Sequence, residues 1–470
     1  NAGALAKLQL LVPGETAAPG TGSGKTGSPS AQTAGSAFSV TVNGVDANWN
    51  VVNTATDNIA ITSSDANATL PANAPLAAGT QTRSVTFKTA GSATITATDA
   101  TNGAITLSTS PSITINAGAL AKLQLLVPGE TADPGSTTGK SGTPSAATAG
   151  TAFNVTVNGV DANWNVVSTA TDNIAITTTD ANDTEPANNT LSSGTRTFSV
   201  TFKTAGSWTI TATDVTNGAI TANTSPSITT NAGALAKLQL LVPGETAAPG
   251  TASGKTGTPS AATAGTAFNV TVNGVDANWN VVSTATDNIA ITTTDANDTE
   301  PANNTLSSGT RTFSVTFKTA GSWTITATDV TNGAITANTS PSITVNAGAF
   351  SQLQVLLPGE TTDPGSTTGK TGTPSTQTAG TGFTVTVNAV DSRYNLLSGV
   401  TETVTLTTTD ANDTEPAAAA LVSGTKDFTV TFKTAGSWTV SGSAAPSTFT
   451  GTSAAVTTVA GALAKLQLLV

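Results

Sequence analysis

The stretch that decides the fold begins at Phe198 and reads Phe-Ser-Val-Thr-Phe-Lys-Thr-Ala-Gly-Ser-Trp-Thr-Ile-Thr-Ala-Thr-Asp, ending at Asp214. Large apolar residues occupy every second position on both sides of a central Lys-Thr-Ala-Gly-Ser segment. This alternation is typical of two half-buried β-strands joined by a turn, because successive side chains of a strand point to opposite faces. The polar positions are mostly threonine, whose branched side chain favours strands while its hydroxyl stays in water. The stretch therefore predicts an antiparallel hairpin that covers one side of a core.

The same alternation of period two recurs in the residues around this hairpin. Residues 123–127 predict an opening strand, residues 153–157 a second strand, and residues 174–176 a third. No window carries the period of 3.6 that a helix requires. Roughly seven short strands in about 115 residues, separated by Gly, Pro, Asn and Asp, predict a β-sandwich.

An internal repeat organises the whole chain. The segment Asn-Ala-Gly-Ala-Leu-Ala-Lys-Leu-Gln-Leu-Leu-Val starts at Asn1, Asn116 and Asn231, and a diverged copy starts at Asn346, each 115 residues after the last. A further copy begins at Ala460. A period of this length fits a whole small domain and is too long for a solenoid repeat. The sequence therefore predicts four domains and the start of a fifth, with boundaries at 1–115, 116–230, 231–345, 346–459 and 460–470.

Two segments of each repeat resemble a known domain family. Residues 148–165 read Thr-Ala-Gly-Thr-Ala-Phe-Asn-Val-Thr-Val-Asn-Gly-Val-Asp-Ala-Asn-Trp-Asn, and residues 198–214 contain the hairpin quoted above. Both resemble the bacterial Ig-like domains of invasin and adhesin type, which occur as tandem repeats in surface and extracellular proteins. The resemblance covers nearly the whole chain and implies an all-β fold of tandem immunoglobulin-like β-sandwiches. Trp164, in the place of a usual Gly, and the Gly/Pro/Ser/Thr segment 128–147 depart from the family pattern.

Composition excludes several classes of function. The chain has 28 acidic and 17 basic residues and a net charge of -11, which argues against binding to nucleic acid or to anionic membrane surfaces. It has no Cys and no His, so it lacks the commonest general base and the residues of thiolate chemistry. No run of about 18 apolar residues predicts membrane insertion. Although carboxylate pairs exist, nothing places two of them in one cleft, and we expect no enzymatic activity.

Acidic turns are the best candidates for a bound ion. The segment Asp-Ala-Asn-Asp-Thr-Glu recurs in three repeats, and its dense side-chain oxygens suit calcium. Asp and Asn also favour turns because they cap local N–H groups, and both interpretations stay open. No other cofactor is expected. The candidate ligands are Asp180, Asn182, Asp183, Glu185, Asp295, Asn297, Asp298, Glu300, Asp410, Asp413 and Glu415.

A large aromatic residue in the second turn is a candidate for interfaces. This residue is predicted to be partly exposed, so it can pack on a neighbouring repeat or subunit. By contrast, Trp208 alternates in phase with Ile210 and is predicted to belong to the core, with carbohydrate stacking as the alternative. The interface candidates are Trp49, Trp164, Trp279 and Tyr394.

Two other motifs have ordinary explanations. Residues 20–26 superficially resemble a phosphate-binding loop, but the spacing is wrong and no helix follows, so we predict a flexible loop. Lys203 ends a strand, where some surface domains form an isopeptide bond between Lys and Asn; a solvated turn lysine is the alternative.

Short connections between repeats predict an extended rod. Residues 460–470 either start a further repeat or act as a donor strand for another chain. The leading hypothesis is a structural subunit of an extracellular filament, sheath or cell-surface stalk that associates with identical chains or neighbouring repeats. The alternative is the stem of an adhesin whose ligand-binding domain lies elsewhere, and a glycan or surface ligand stays open as a partner.

Overall fold

The computed structural model describes residues 2–467, and every regular element among them is a β-strand. Within this range no helix is long and apolar enough to cross a membrane. The chain divides into two compact units, Asn1–Asn231 and Ala232–Val470. Each unit contains two hydrophobic cores, one for each predicted repeat.

The first unit contains twenty-four short strands, twelve in each repeat. Those of repeat 1 are β1 Lys7–Leu11, β2 Glu15–Ala17, β3 Lys25–Gly27, β4 Gln32–Thr33, β5 Ala37–Val45, β6 Asn58–Ser63, β7 Ala74–Pro75, β8 Thr80–Thr86, β9 Gly91–Ala93, β10 Ile95–Asp99, β11 Ser108–Thr109 and β12 Ile113–Asn116. Those of repeat 2 are β13 Lys122–Leu126, β14 Glu130–Ala132, β15 Lys140–Gly142, β16 Ala147–Thr148, β17 Phe153–Val160, β18 Asn173–Thr178, β19 Asn189–Thr190, β20 Thr195–Val200, β21 Gly206–Trp208, β22 Ile210–Asp214, β23 Asn223–Thr224 and β24 Ile228–Asn231.

The second unit follows the same order of strands. Those of repeat 3 are β25 Lys237–Leu241, β26 Glu245–Ala247, β27 Lys255–Gly257, β28 Ala262–Thr263, β29 Phe268–Val275, β30 Asn288–Thr293, β31 Asn304–Thr305, β32 Thr310–Val315, β33 Gly321–Trp323, β34 Ile325–Asp329, β35 Asn338–Thr339 and β36 Ile343–Asn346. Those of repeat 4 are β37 Gln352–Leu356, β38 Glu360–Thr362, β39 Lys370–Gly372, β40 Gln377–Thr378, β41 Phe383–Val390, β42 Thr403–Thr408, β43 Ala419–Ala420, β44 Thr425–Val430, β45 Gly436–Trp438, β46 Val440–Ala445, β47 Thr450–Thr452 and β48 Val456–Val459.

Each repeat is a sandwich of small sheets, as the alternation predicted. In repeat 2 the sheets have the orders β13-β17-β20, β19-β18-β22-β23 and β16-β24-β21, and β14 and β15 form a separate hairpin. All named pairs are antiparallel except that of β16 with β24. The chain is therefore an all-β protein of tandem immunoglobulin-like sandwiches.

A pair of phenylalanines marks the centre of each core. Phe202 is fully buried, and its ring centre lies 5.3 Å from that of Phe153. Val155, Val157 and Ile210, which the alternation placed inside, are also fully buried. Burial of each such side chain contributes roughly 1.5–3 kcal/mol. The core of a repeat is thus built from the inward positions of its own strands.

A chain of buried amides connects the hairpin to the first sheet. The Gln124 side chain donates from Nε2 to the Gly139 carbonyl at 2.6 Å and accepts from Asn158 Nδ2 at 2.8 Å. Thr195 in turn donates its hydroxyl to Asn158 Oδ1 at 2.7 Å. The same three bonds recur in the other repeats, through Gln9, Asn43 and Thr80, through Gln239, Asn273 and Thr310, and through Gln354, Asn388 and Thr425.

The loop expected at residues 20–26 is corrected in part, because residues 20–24 form a turn and bends whereas residues 25 and 26 belong to a strand. Lys25 begins strand β3, which pairs with β2, and its ammonium forms an ion pair with Glu15 at 2.8 Å. The Glu15 side chain is only 1% exposed. The departure at 128–147 contains the equivalent hairpin, with Lys140 paired to Glu130. The segment 20–26 is held by its pairing with β2 and by the hydrogen bond from Gln9 to the Gly24 carbonyl.

The domain boundaries stay predictions, although each falls close to the end of a closing strand. The predicted strand at 460–470 is only partly within the described residues. Residues 460–467 form no strand, and Leu463 and Leu466 are 85% and 91% exposed. Residues 468–470 lie outside the described range, so the strand as a whole is untested.

We predict that Gln124→Ala lowers the free energy of unfolding of repeat 2 by about 2–4 kcal/mol. The change leaves the Gly139 carbonyl and the Asn158 amide buried without this partner, and each orphaned group costs roughly 1–3 kcal/mol. Scanning calorimetry of the full chain measures the loss. The exposed Thr197→Ala on β20 is the control and changes stability by less than about 0.5 kcal/mol. Equal effects of the two changes would contradict the role of the buried amides.

Candidate functional site

Polar groups of two successive repeats meet inside each unit, and we call this contact the junction. In the first unit it joins the turn 88–90 of repeat 1 to the loop 161–165 of repeat 2. The turn follows strand β8, and the loop follows strand β17. Both segments are shaped by a buried aspartate of their own repeat.

Asp65 shapes the turn. Its Oδ2 accepts hydrogen bonds from the backbone N–H groups of Lys88 and Thr89 at 2.8 and 3.1 Å. Its Oδ1 accepts from the Thr89 hydroxyl at 2.8 Å and from Asn67 N–H at 3.0 Å. Burial by itself raises the pKa of Asp65, but these bonds together outweigh burial and keep the pKa below its ordinary value. Asp65 is therefore ionised at neutral pH and fixes the turn.

Asp161 shapes the loop in the same way. Its carboxylate accepts from the backbone N–H of Asn163 at 2.8 Å and from both the backbone and the side chain of Asn165 at 3.0 Å. It also accepts from Gly118 N–H at 2.8 Å, which belongs to the connection between the two repeats. One carboxylate that is 1% exposed therefore positions both the loop and the connection.

Asn165 makes the contact itself. Its Nδ2 donates to the Lys88 carbonyl at 2.8 Å, and its Oδ1 accepts from Ala90 N–H at 2.7 Å. These two bonds use the main chain of the turn on both sides of Thr89. Asn165 is 1% exposed, so water does not compete for its amide. The geometry fixes both the position and the direction of the turn against the loop.

Pro134 and Gly135 of repeat 2 make a second set of contacts with repeat 1 in the junction. The Asn67 amide lies 3.4 Å from the Pro134 carbonyl, to which it donates. Gly135 has a φ of 84° and lies so close to repeat 1 that a Cβ there would be 2.2 Å from Thr89 Oγ1. Only glycine fits this approach without displacement.

The second unit repeats the junction between repeats 3 and 4. Asn395 donates to the Lys318 carbonyl at 2.9 Å and accepts from Ala320 N–H at 2.7 Å. The Asn297 amide donates to the Pro364 carbonyl at 3.1 Å. A Cβ on Gly365 would lie 2.1 Å from Thr319 Oγ1. Two independent copies of the junction thus have the same partners.

Repeat 1 contains the same loop. Asn50 is equivalent to Asn165 and bonds to Asp46 of its own repeat in the same way, although Asn50 is exposed. The bonds between the asparagine and its aspartate are thus the same whether the asparagine is exposed or buried.

The aromatic candidates lie beside the junction, but their main contacts are within their own repeats. Trp164 has a φ of 68°, and the Lys122 ammonium lies 3.4 Å above its ring centre. Its ring also packs on Gly139, where a Cβ would be 2.1 Å away. Trp49 and Trp279 have the same lysine contact, whereas Tyr394 packs on Gly369. An interface role for Trp49, Trp164, Trp279 and Tyr394 stays a prediction.

One edge of Trp164 does face the preceding repeat. Together with Pro134 and Val166 it lines a cleft of about 300 Å³ that Ala90 and Gly91 close from repeat 1. Trp208, by contrast, packs against the core and donates its indole N–H to the Thr204 carbonyl at 2.6 Å.

The oxygens of the acidic turns are engaged in hydrogen bonds. Asp180 accepts from the backbone N–H groups of Lys203 and Thr204, as Asp65 does in repeat 1. Glu185 accepts from the backbone of Thr178, and Asp183 from its hydroxyl. The same bonds recur at Asp295, Asp298 and Glu300 and at Asp410, Asp413 and Glu415, with Asn182, Asn297 and Asn412 beside them.

This arrangement matches the turn interpretation of these residues. Among residues 2–467 no three acidic side chains lie close enough together to hold a metal ion. Burial raises the pKa of Asp183 above its ordinary value, and the hydrogen bond from Thr178 opposes it. Calcium binding stays a prediction.

In repeats 3 and 4, the lysine that lies three residues after strands β32 and β44 has a partner within its own repeat. In repeat 3 the Lys318 ammonium donates to the Asp298 carbonyl at 3.1 Å, and in repeat 4 Lys433 donates to Asp413 at 3.4 Å. These contacts favour the turn-lysine interpretation over an isopeptide bond.

From the sequence, Asp161, Asn163 and Asn165 are predicted to form either a turn or an ion site close to a domain junction, whereas no pattern singles out Gly135. An Asp followed by Asn four positions later occurs in all four repeats, and this spacing was the available indication. A turn and an ion site use the same residue types, so this spacing alone does not distinguish them.

No protein-family model matches the chain, and no curated protein matches it either. Solved structures do. The Escherichia coli adhesin FdeC is 15% identical, with 73% of this chain and 99% of FdeC covered and a TM-score of 0.30. Invasin, a bacterial integrin-binding protein, is 17% identical, with 96% and 79% covered and a TM-score of 0.28. Domains 1–6 of the surface layer protein SbsC are 15% identical, with 93% and 55% covered and a TM-score of 0.20.

Those similar structures include bacterial adhesins of Ig-like architecture, the class that the sequence resembles. At these identities and TM-scores the likeness concerns the fold alone. The function is therefore argued from the residues of this chain.

We predict that Gly135→Ala weakens the junction and that Gly20→Ala does not. Both glycines have left-handed backbone, with φ of 84° and 78°, so both variants suffer similar local strain. Only at Gly135 does the added Cβ meet Thr89, whereas at Gly20 no atom lies within 4 Å. Relative to Gly20→Ala, we expect Gly135→Ala to lower the free energy of unfolding by a further amount of roughly 1–3 kcal/mol. Urea unfolding of the full chain measures this difference. Equal losses would show that the close approach does not matter.

We predict that the contribution of Asp46 to the stability of repeat 1 is lost in acid. Backbone hydrogen bonds from Gly3 and Asn50 lower the pKa of Asp46 from 3.8 to about 2. Since the folded pKa is the lower one, the contribution is complete above about pH 4 and is lost as pH falls to about 2. Unfolding measured against pH tests this, with Asp46→Asn as the reference. The difference between the two proteins should be constant above pH 4 and shrink below it; a constant difference down to about pH 2 contradicts the assignment.

Proposed function

We propose that this chain is a structural subunit of an extracellular filament, sheath or cell-surface stalk. The observation that carries the proposal is the junction, in which one buried asparagine binds the main chain of the preceding repeat. It occurs in both units with the same atoms, through Asn165 in one and Asn395 in the other.

The chemistry of the junction suits a protein that transmits load between domains. An amide that bonds to a carbonyl and an N–H of one turn resists both sliding and rotation of that turn. Since the bonds end on main-chain atoms, force passes from strand to strand without depending on flexible side chains. Burial of Asn165 keeps the bonds from exchanging with water.

The surface of the repeats also suits such a role. Outward positions of the strands are mostly Thr, Ser and Asn, as in the exposed Thr197 and Ser199 of β20. These residues keep the sheets soluble with few charges, and charged residues make up only 10% of the chain. We propose that the partners are identical chains or neighbouring repeats and that the protein works outside the cell or at its surface.

Electron cryo-microscopy of the full chain, with and without EDTA, tests the proposal. We expect filaments in which repeats contact each other regularly, either laterally or head to tail. Loosening in EDTA would add calcium at the acidic turns. Dispersed chains without any order would overturn the filament subunit and leave the stem of an adhesin, the alternative function.

The double variant Asn165→Ala with Asn395→Ala tests whether the junction carries this function. It removes both junction amides and leaves two main-chain groups unsatisfied at each junction, at roughly 1–3 kcal/mol for each group. We expect the angle between the joined repeats to vary from particle to particle. Asn50→Ala is the matched control, because Asn50 is exposed, and it should leave this angle unchanged. A double variant that is as uniform as the native chain would contradict the role of the junction.

A further inference from the structure

Three exposed turns carry the same dipeptide, Asn followed by Gly. They are Asn102-Gly103, Asn217-Gly218 and Asn332-Gly333, which lie 115 residues apart. Each turn follows the strand that ends in a buried aspartate, such as Asp214 at the end of β22. The junction and the acidic turns do not involve these residues.

The geometry of these turns exposes the side-chain amide to its own backbone. Asn217 is exposed, and its Oδ1 accepts a hydrogen bond from Ala219 N–H at 3.1 Å. This bond holds the Asn217 side chain against the main chain of the two residues that follow it. Gly218 is open, since a Cβ there would meet nothing within 4 Å. Asn102 and Asn332 have the same bond and the same exposure.

The same dipeptide in a strand is protected, which gives an internal comparison. Asn158 is 6% exposed, and its amide is fixed by Gln124 and Thr195. The Gly159 nitrogen donates to the Gly194 carbonyl at 2.9 Å, so it is not free to react. Asn43-Gly44 and Asn273-Gly274 occupy the same place in their repeats.

We propose that the three exposed turns are sites of spontaneous deamidation. The Gly218 nitrogen loses its proton to hydroxide, which becomes water, and attacks the Asn217 amide carbon. The new C–N bond forms while the bond from this carbon to the amide nitrogen breaks, and that nitrogen takes a proton from water and leaves as ammonia, which restores the hydroxide. One water then opens the resulting five-membered imide to aspartate or isoaspartate. No oxidant or reductant takes part. Each event turns a neutral amide into a carboxylate, so three events change the net charge from -11 to -14, that is, -11 - 3.

The modification lies in a turn that the buried Asp214 caps. Asp214 is 3% exposed, and its Oδ1 accepts from the N–H groups of Thr216 and Asn217, while its Oδ2 has no hydrogen-bond partner. An isoaspartate adds a methylene to the main chain directly after the Cα of residue 217, next to the N–H groups that bond to Asp214, and so changes the course of the turn that they cap. A new carboxylate also arises beside the existing one. The cap of the turn is weakened in both ways.

The turn is connected to the first sheet, so the effect reaches the sandwich. The Thr221 carbonyl, four residues after Asn217, accepts from Leu123 N–H of the opening strand at 2.9 Å. Repeat 4 is exempt, because Ala444 replaces the aspartate and the turn reads Ala445-Pro-Ser-Thr448. Ageing of the protein therefore marks repeats 1 to 3 and spares repeat 4, a property that goes beyond the proposed function.

Peptide mapping by mass spectrometry tests the proposal on the full chain, incubated folded at mildly alkaline pH. We expect a gain of about 1 Da at Asn102, Asn217 and Asn332 and none at the three strand sites. In urea all six sites should react, which shows that the fold protects the other three. Absence of the gain at the turns, or an equal gain at the strand sites of the folded chain, would overturn the proposal.

Gly218→Ala supplies the matched variant. Gly218 has neither left-handed backbone nor a close neighbour, so alanine fits without strain. The added Cβ hinders attack by the nitrogen, and we expect deamidation at Asn217 to slow about tenfold, equivalent to about 1.4 kcal/mol in the barrier. The rates at Asn102 and Asn332 should not change. An unchanged rate at Asn217 in a folded variant would contradict the mechanism.

Discussion

Buried aspartates that accept main-chain N–H bonds are the interaction on which the rest of this structure depends. The chain has no cysteine, so no disulfide fixes its turns. Carboxylates that accept main-chain N–H bonds hold them instead. Asp161 organises one end of repeat 2 and Asp180 the other. Where two repeats meet, the turn shaped by Asp65 is presented to the loop shaped by Asp161. The junction is thus the product of two turns, each held by an aspartate of its own repeat.

Sequence alone was sufficient for the fold and insufficient for the junction. Alternation identified inward residues such as Phe202 and Ile210 because burial on one face of a strand is a local property. The hairpin of β14 and β15 was not predicted because its glycines and threonines show no alternation. Its contact with the sandwich, the bond from Gln124 to the Gly139 carbonyl, joins residues that are distant in sequence. Asn165 is buried because it contacts Lys88 and Ala90 of the preceding repeat. No local pattern indicates this contact, because its partners lie 75 and 77 positions away.

Repeat 4 shows which contacts differ between the repeats while the fold stays the same. The lysine above the tryptophan ring is Gln352 there, and the ring is that of Tyr394, so both partners of the contact change together. The capped turn is also replaced, and Phe449 packs edge to face on Phe350 at 4.7 Å. Despite these changes the strand order and the junction of Asn395 are retained. Repeat 4 thus differs at this contact and at this turn, whereas the asparagine and its aspartate are kept.

The main-chain bonds of Asn165 also have a consequence for the history of the gene. A contact that recognises only a carbonyl and an N–H makes no demand on the identity of the side chains opposite. A copied or deleted repeat therefore finds a compatible neighbour at once, provided that its loop asparagine and its close-approach glycine are present. Unequal recombination between near-identical copies can then lengthen or shorten the array in one step, and the product needs no compensating mutation at its new joints.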